Sequence, residues 1–177
     1  MKWWFRIIIA LAAIVILYIS FVMASLDRVI DDEKFDRLRK IEISYVNSRG
    51  EDQCYKLPES RILPNNIFYP IKEMRDNLWI YFSRDRIDEL RIQLLIRDKK
   101  IEEVLLLRKN GGNKKIIDKQ VEKIKQMSNK LTNDLNNLNR GKPENKEIQI
   151  KGEIANEFYE FIDKEIFNGK EVEKCHE

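Results

Sequence analysis

Ile7–Ala24 is a run of eighteen residues without a charge, broken only by the polar side chains of Tyr18 and Ser20. Few folds are open to a chain that carries it. As a helix it reaches about 27 Å, close to the thickness of a hydrocarbon layer, and Trp3, Trp4 and Phe5 lengthen it. A helix apolar on every side has no face to show water, so a buried helix of a soluble protein is a poor reading. Trp3 and Trp4 stand beside Lys2 and Arg6, a mixture of rings and cations that settles among lipid headgroups.

Two readings of residues 1–24 stay open. One is a membrane anchor, or an uncleaved signal segment. The other is a signal peptide cleaved after Ala24, because Val22-Met23-Ala24 before Ser25 fits the small-residue cleavage pattern. The run exceeds the roughly 7–15 apolar residues of a signal peptide, which favours the anchor. Positive charge ahead of the span predicts a cytoplasmic N-terminus, one pass through the cell membrane and an extracytoplasmic bulk. Arg28 and Lys34 behind the span are offset by Asp27, Asp31, Asp32 and Glu33. Cleavage at Ala24 would instead give a secreted protein.

Lys and Arg number 33 against 30 Asp and Glu, a net charge of +3 of which Lys2 and Arg6 supply two. The remainder is nearly neutral, which argues against nucleic acid as the main partner, since phosphate binding needs a concentrated basic surface. Charged residues make up 36% of the chain, with six Gly and four Pro, a composition that suits exposed helices better than sheets. The fold class expected is mainly α: an N-terminal transmembrane helix, then an extracytoplasmic antiparallel helical hairpin within a three-helix bundle. A small β-hairpin near 41–57 is a candidate addition. The domains read as anchor 1–24, stalk and linker 25–66, helical bundle 67–168 and charged tail 169–177.

Leu26–Lys40 carries Leu26, Ile30, Phe35 and Leu38 at loosely helical spacing and reads as a stalk continuing the membrane helix. Ile41, Ile43 and Tyr45 alternate with polar neighbours, Asn47–Gly50 offers a turn, and Gln53–Leu57 can return. Such a two-stranded hairpin is marginal unless something covers it. Pro58 and Pro64 punctuate a loop. Pro70 can open a short helix, along which Ile71, Met74, Leu78, Tyr81 and Phe82 recur with Trp79 beside them. One reading packs this face across an end of the helical hairpin. The other exposes Trp79, Tyr81 and Phe82 as an interaction patch for a partner or a lipid surface.

Ser83 or Asp85 can cap the next helix. There Ile87, Leu90, Leu94, Ile101 and Leu105 keep helical spacing, with Leu95, Val104 and Leu107 widening the stripe. Asn110-Gly111-Gly112 ends it with residues tolerant of positive φ, and Asn113 can cap the return. The return seam reads Ile117, Val121, Ile124, Ser128, Leu131, Leu135, Leu138, alternate steps of four and three. A last helix is expected over about Asn145–Asn168, weakened by Gly152 by about 1 kcal/mol relative to Ala.

Leu63-Pro64-Asn-Asn-Ile-Phe-Tyr69-Pro70-Ile-Lys72, the Arg75-Asp76 step and Leu95-Ile96-Arg97-Asp98-Lys99-Lys100-Ile101 together resemble an uncharacterised bacterial membrane-associated domain family of unknown function. That family tends to show Leu-Pro, a small polar spacer, Leu-Tyr-Pro-Leu-Lys, an Arg-Asp step and then a long helical hairpin. The likeness covers about residues 57–138 and departs at Phe68, Ile71 and Ile96-Arg97. It implies placement at a membrane and a helical fold, and it carries over no catalytic residue, because the family has no established activity.

Candidate chemistry is sparse. Asp98 with Arg97 and Ser128 could form a polar layer fixing the register of the two long helices; the plainer reading has Asp98 facing water beside Lys99 and Glu102. Glu102-Glu103 and Asp31-Asp32-Glu33 are paired carboxylates, but adjacent helical residues diverge by about 100°, so a solvated face is expected. One histidine, His176, and two cysteines are too few for a metal site built from those ligands alone. Cys54 and Cys175 are candidates for a disulfide if they stand in an oxidising compartment. The expectation is a membrane-anchored interaction or structural module with an unknown envelope partner, no cofactor and no enzymatic activity. The alternative is a secreted or envelope-stress accessory that senses or holds a ligand, peptide or ion.

Overall fold

Two capped helices and the glycine turn between them set the frame. Asp85 adopts an extended conformation and its carboxylate accepts from Asp88 N, while Asn113 accepts from Lys115 N. Between them Gly111 takes φ +66°, a left-handed conformation that costs glycine nothing. A β-carbon on Gly112 would stand 2.8 Å from Leu107 O, so the chain can reverse this tightly only with glycine there. The computed structural model describes residues 2–30, 39–138, 143–167, 173 and 175. The carboxylates at 31–33, Phe35 and Leu38 of the expected stalk, Asn139, His176 and most of the tail lie outside the described residues.

In chain order the elements are α1 (Lys2–Ile30), β1 (Arg39–Val46), β2 (Asp52–Pro58), α2 (Tyr69–Tyr81), α3 (Arg86–Lys109), α4 (Lys114–Asn136) and α5 (Pro143–Phe161). The last continues as a π turn over Ile162–Ile166. The chain is mainly helical with one two-stranded antiparallel sheet and an apolar N-terminal helix, long and apolar enough over Trp3–Leu26 to cross a membrane. The stalk expectation needs correcting at its end, because Arg39 and Lys40 are strand residues. The last helix begins earlier than expected, at Pro143.

The β-hairpin pairs Ile41 with Leu57 and Ile43 with Tyr55. Asn47 closes its turn, with Oδ1 accepting from Arg49 N and Glu51 N at 2.9 Å each. Two strands alone would be marginal; here α3 and α5 cover them. Phe158 stacks on Tyr55 with ring centroids 4.2 Å apart and meets Tyr45 edge-on at 5.5 Å.

α3 is the axis of the molecule. On one side Leu90, Leu94, Ile101 and Val104 join the β-hairpin, α4 and α5 in the main core. On another side Ile92, Leu95 and Ile96 pack with Trp79 of α2 and with Val22 and Leu26 of α1 in a second core. Elements on so many sides explain why α3 shows no clean amphipathic stripe. α4 has neighbours on one side only and keeps the expected seam: Ile117, Ile124, Ser128, Leu131 and Leu135 are buried. Gly152 lies so close to Leu135 that a β-carbon there would overlap the Leu135 methyls.

α2 departs from expectation. Its buried face is Tyr69, Lys72, Asp76 and Trp79, whereas Ile71, Met74 and Tyr81 are exposed. The helix lies along the flank of α3 with its polar-and-aromatic face inward, rather than across one end of the hairpin on its apolar stripe. The reason is the ion network below, which satisfies the inward charges.

Candidate functional site

α3 presents Arg97, Asp98, Lys99, Lys100, Glu102 and Glu103 within two turns, and successive side chains leave the axis about 100° apart. Each therefore meets a different neighbour.

Asp98 points to the β-hairpin and is fully buried. It accepts from Tyr55 OH at 2.7 Å and pairs with Arg39 at 2.9 Å and Arg97 at 3.1 Å. Burial, then the Asp98 charge, push the Tyr55 phenol well above its ordinary range. Arg97, also fully buried, donates to Asn156 Oδ1 at 2.8 Å and to Ala155 O at 3.0 Å. Asn156 donates to Thr132 Oγ1, which donates to Ser128 O. A polar layer thus exists, but neither sequence reading described it. Asp98 does not face water, and the Ser128 hydroxyl is a buried group without a partner among the described residues. The layer ties α3 to the β-hairpin and α5, and through Asn156 to α4.

Glu102 and Glu103 correct a second expectation, since both are buried rather than solvated. The loop after β2 and the start of α2 fold over them. Glu103 accepts from Tyr69 OH at 2.8 Å, from Ser60 Oγ at 2.9 Å and from Lys72. Glu102 accepts from Ser60 N at 3.0 Å. Burial, with the Glu103 charge adding to it against the Ser60 N–H, pushes the Glu102 carboxyl up to about 7. Lys100 donates to Tyr69 OH and to Glu73, each at 3.1 Å, and Lys123 reaches Glu73 at 2.7 Å.

Beside this network opens a cleft of about 250 Å³ lined by Glu59, Ser60, Arg61, Lys72, Arg75 and Lys99, with Ile62. Four cations face one carboxylate. Lys72 is engaged with Glu103 and lies 3.7 Å from Asp76, and Arg75 pairs with Asp76 at 2.6 Å. Lys99 is different: it has no hydrogen bond or carboxylate partner among the described residues. Its ammonium and the Arg75 guanidinium instead lie near the Trp79 ring, 4.9 and 4.4 Å from its centroid. Burial, with Arg75 and Lys72 acting against Asp76, pulls Lys99 down to about 8.

Trp79 is only 3% exposed. Its indole N–H donates to Ser25 Oγ at 3.0 Å and approaches Val22 O at 3.3 Å. The candidate patch Trp79, Tyr81, Phe82 is therefore not one surface: Trp79 is interior, and Tyr81, 79% exposed, stacks edge-on against Phe82 at 5.1 Å. Cys54 and Cys175 are joined by a disulfide, their Cα atoms 6.1 Å apart. Nearby, Ser44 N donates to Glu173 O at 3.0 Å, so Glu173 lies against β1. Among the described residues no group of three or more His, Cys, Asp and Glu is placed to hold a metal ion.

The cleft is not evident in the sequence. Its signal, Lys72, Arg75 and Trp79 at steps of three and four on one short helix, was present beneath the more conspicuous apolar stripe. Comparison with known proteins found no matching family model, no matching curated protein and no matching solved structure.

Proposed function

We propose that the chain is a single-pass membrane protein whose outward-facing bundle acts by contact, as an interaction or structural module, and not as an enzyme. One observation carries this reading: the end of the apolar helix is a wall of the fold. Val22 and Leu26 are almost fully buried against Trp79, Ile92, Leu95 and Ile96. Cleavage after Ala24 would remove Val22 and leave the indole N–H of Trp79 without its Val22 neighbour. An anchor that is also a core element favours retention over release. The disulfide supports an outward bulk, since such bonds persist in oxidising compartments, and the cations Lys2 and Arg6 support an inward N-terminus.

Carbonate extraction of the full chain with a C-terminal tag tests this. Full-mass protein should stay with the membrane pellet; release of a product lacking the first 24 residues would establish the secreted alternative.

A second reading, an accessory that holds a soluble anion, is favoured by Lys99, which has no carboxylate partner among the described residues of its cationic cleft. It predicts a rise in Tm of the detergent-solubilised chain with inorganic phosphate.

A further inference from the structure

We propose that α2 is seated in the outer boundary of the membrane, its apolar face among acyl chains, with the cleft on its flank taking the phosphate of an anionic lipid headgroup. This rests on the anchor reading above. The argument starts from length. From Trp3 to Tyr18 the helix α1 rises about 22 Å, while a hydrocarbon layer is about 30 Å thick. Tyr18 therefore stands inside the far boundary. Yet Tyr18 already touches the bundle: its hydroxyl donates to Ile71 O at 3.4 Å, and its ring packs on the second core. Whatever surrounds Ile71 is brought to the level of lipid.

The surface at that level suits it. Ile67, Phe68, Ile71 and Met74 are exposed, Ile67 to 85%, and Tyr18 ties their segment to the exposed apolar length of α1. Acyl chains are the one occupant already required next to them by the span itself. The inward face of α2 carries its charges, each answered by α3 or by a neighbour on α2 itself.

The cleft lies where the phosphates would be. Val22 and Ser25 stand about 28 and 33 Å along the helix from Trp3, at the edge of the hydrocarbon. Trp79 bonds to both with its indole edge, and its ring carries Arg75 and Lys99. Arg61 and Lys72 complete the lining, with Ser60 beside them and Glu59, 3.8 Å from Arg61, as the one carboxylate of the lining itself. A phosphate diester there would give Lys99 an anionic hydrogen-bond partner, which it lacks among the described residues.

The test uses the full chain in nanodiscs with its disulfide intact. Nitroxide labels at Phe68→Cys and Ile71→Cys are compared for collision with oxygen and with a water-soluble nickel chelate. Leu11→Cys serves as the label in the span, and Arg49→Cys, on the far side of α3, as the aqueous one. Oxygen should dominate at 68 and 71 as it does at 11. Nickel dominating at 68 and 71 with oxygen still dominating at 11 overturns the seating of α2 alone; nickel dominating at 11 overturns the anchor and this inference together.

The headgroup arm measures acetylation of Lys99 by mass spectrometry, normalised to Lys130, in phosphatidylcholine discs with and without phosphatidylglycerol. A slowing of several-fold by the anionic lipid, reversed little by free inorganic phosphate, is expected. Equal rates with and without the anionic lipid, or the same slowing by inorganic phosphate in phosphatidylcholine alone, overturn the headgroup assignment.

Discussion

Trp79 Nε1 donates to Ser25 Oγ at 3.0 Å, joining residues 54 positions apart, one in the middle of the fold and one at the end of the apolar helix. Ser25 Oγ in turn donates to Val22 O at 2.7 Å. The indole thus joins the apolar helix to the bundle, with the Arg75 and Lys99 cations near its ring and α1 along its edge. Trp79→Phe keeps most of the packing and removes the donor, for an expected cost of about 1 kcal/mol. Trp79→Ala leaves a cavity under Val22 and should cost about 3–5 kcal/mol. Denaturant titration of the full chain in detergent measures both, and equal costs for the two would mean that packing around the ring contributes nothing.

Asp98 pairs with two arginines, Arg97 fully buried and Arg39 largely so. Removing one member of a buried ion cluster costs about 3–5 kcal/mol because its partners stay charged and desolvated. Asp98→Leu should therefore destabilise the chain by that order. Pairing it with Arg97→Met should recover part of the loss, with Arg39 left to account for the rest. Thermal unfolding of the single and double variants decides; an unchanged Tm in Asp98→Leu would mean the cluster is not desolvated.

Glu102 gives a pH signature. Its carboxyl titrates near 7 in the fold against a usual 4.5, so between those values the folded chain holds a proton the unfolded chain has lost. Stability attributable to this group falls as pH rises through that window and is unaffected below it. Glu102→Gln, whose amide oxygen can still accept from Ser60 N, should match the parent near pH 4 and exceed its Tm by several degrees at pH 8. A constant difference across that range would place the Glu102 carboxyl in water.

Gly152 sets a helix rule against a packing rule. Propensity alone makes Gly152→Ala stabilising by about 1 kcal/mol. Contact with the Leu135 methyls makes it overpacked, at a cost of about 1–3 kcal/mol. Net destabilisation is expected, relieved by Leu135→Ala in the same chain; a more stable single variant would show that α4 and α5 can separate without loss.

Much of the frame was legible because local chemistry decides it. The caps at Asp85 and Asn113, the Gly111 turn, the α4 seam and the strand alternation at Ile41–Tyr45 each follow from a residue's own conformational or burial preference. What was not legible lies on α3 and α2. A helix with neighbours on nearly every side has no polar face, so Asp98, Glu102 and Glu103, which look like solvent-facing charges in sequence, are interior. α2 inverts the expected face for the complementary reason: its apolar stripe is the obvious choice for burial, but Lys72 and Asp76 have partners on α3 and within α2. The cleft followed from that inversion and could not be seen without it.

The bond between Cys54 and Cys175 spans 121 positions, and its consequence is topological. It closes residues 54–175 into a covalent ring, with α1 and β1 on an arm outside it. A protease that cuts once at the exposed Asn110–Gly111 tip would open that ring without dividing the molecule. Such a nick stays silent on a denaturing gel until reductant is added, when two fragments part and only one keeps α1. A chain built this way can be wounded without shedding a piece of itself.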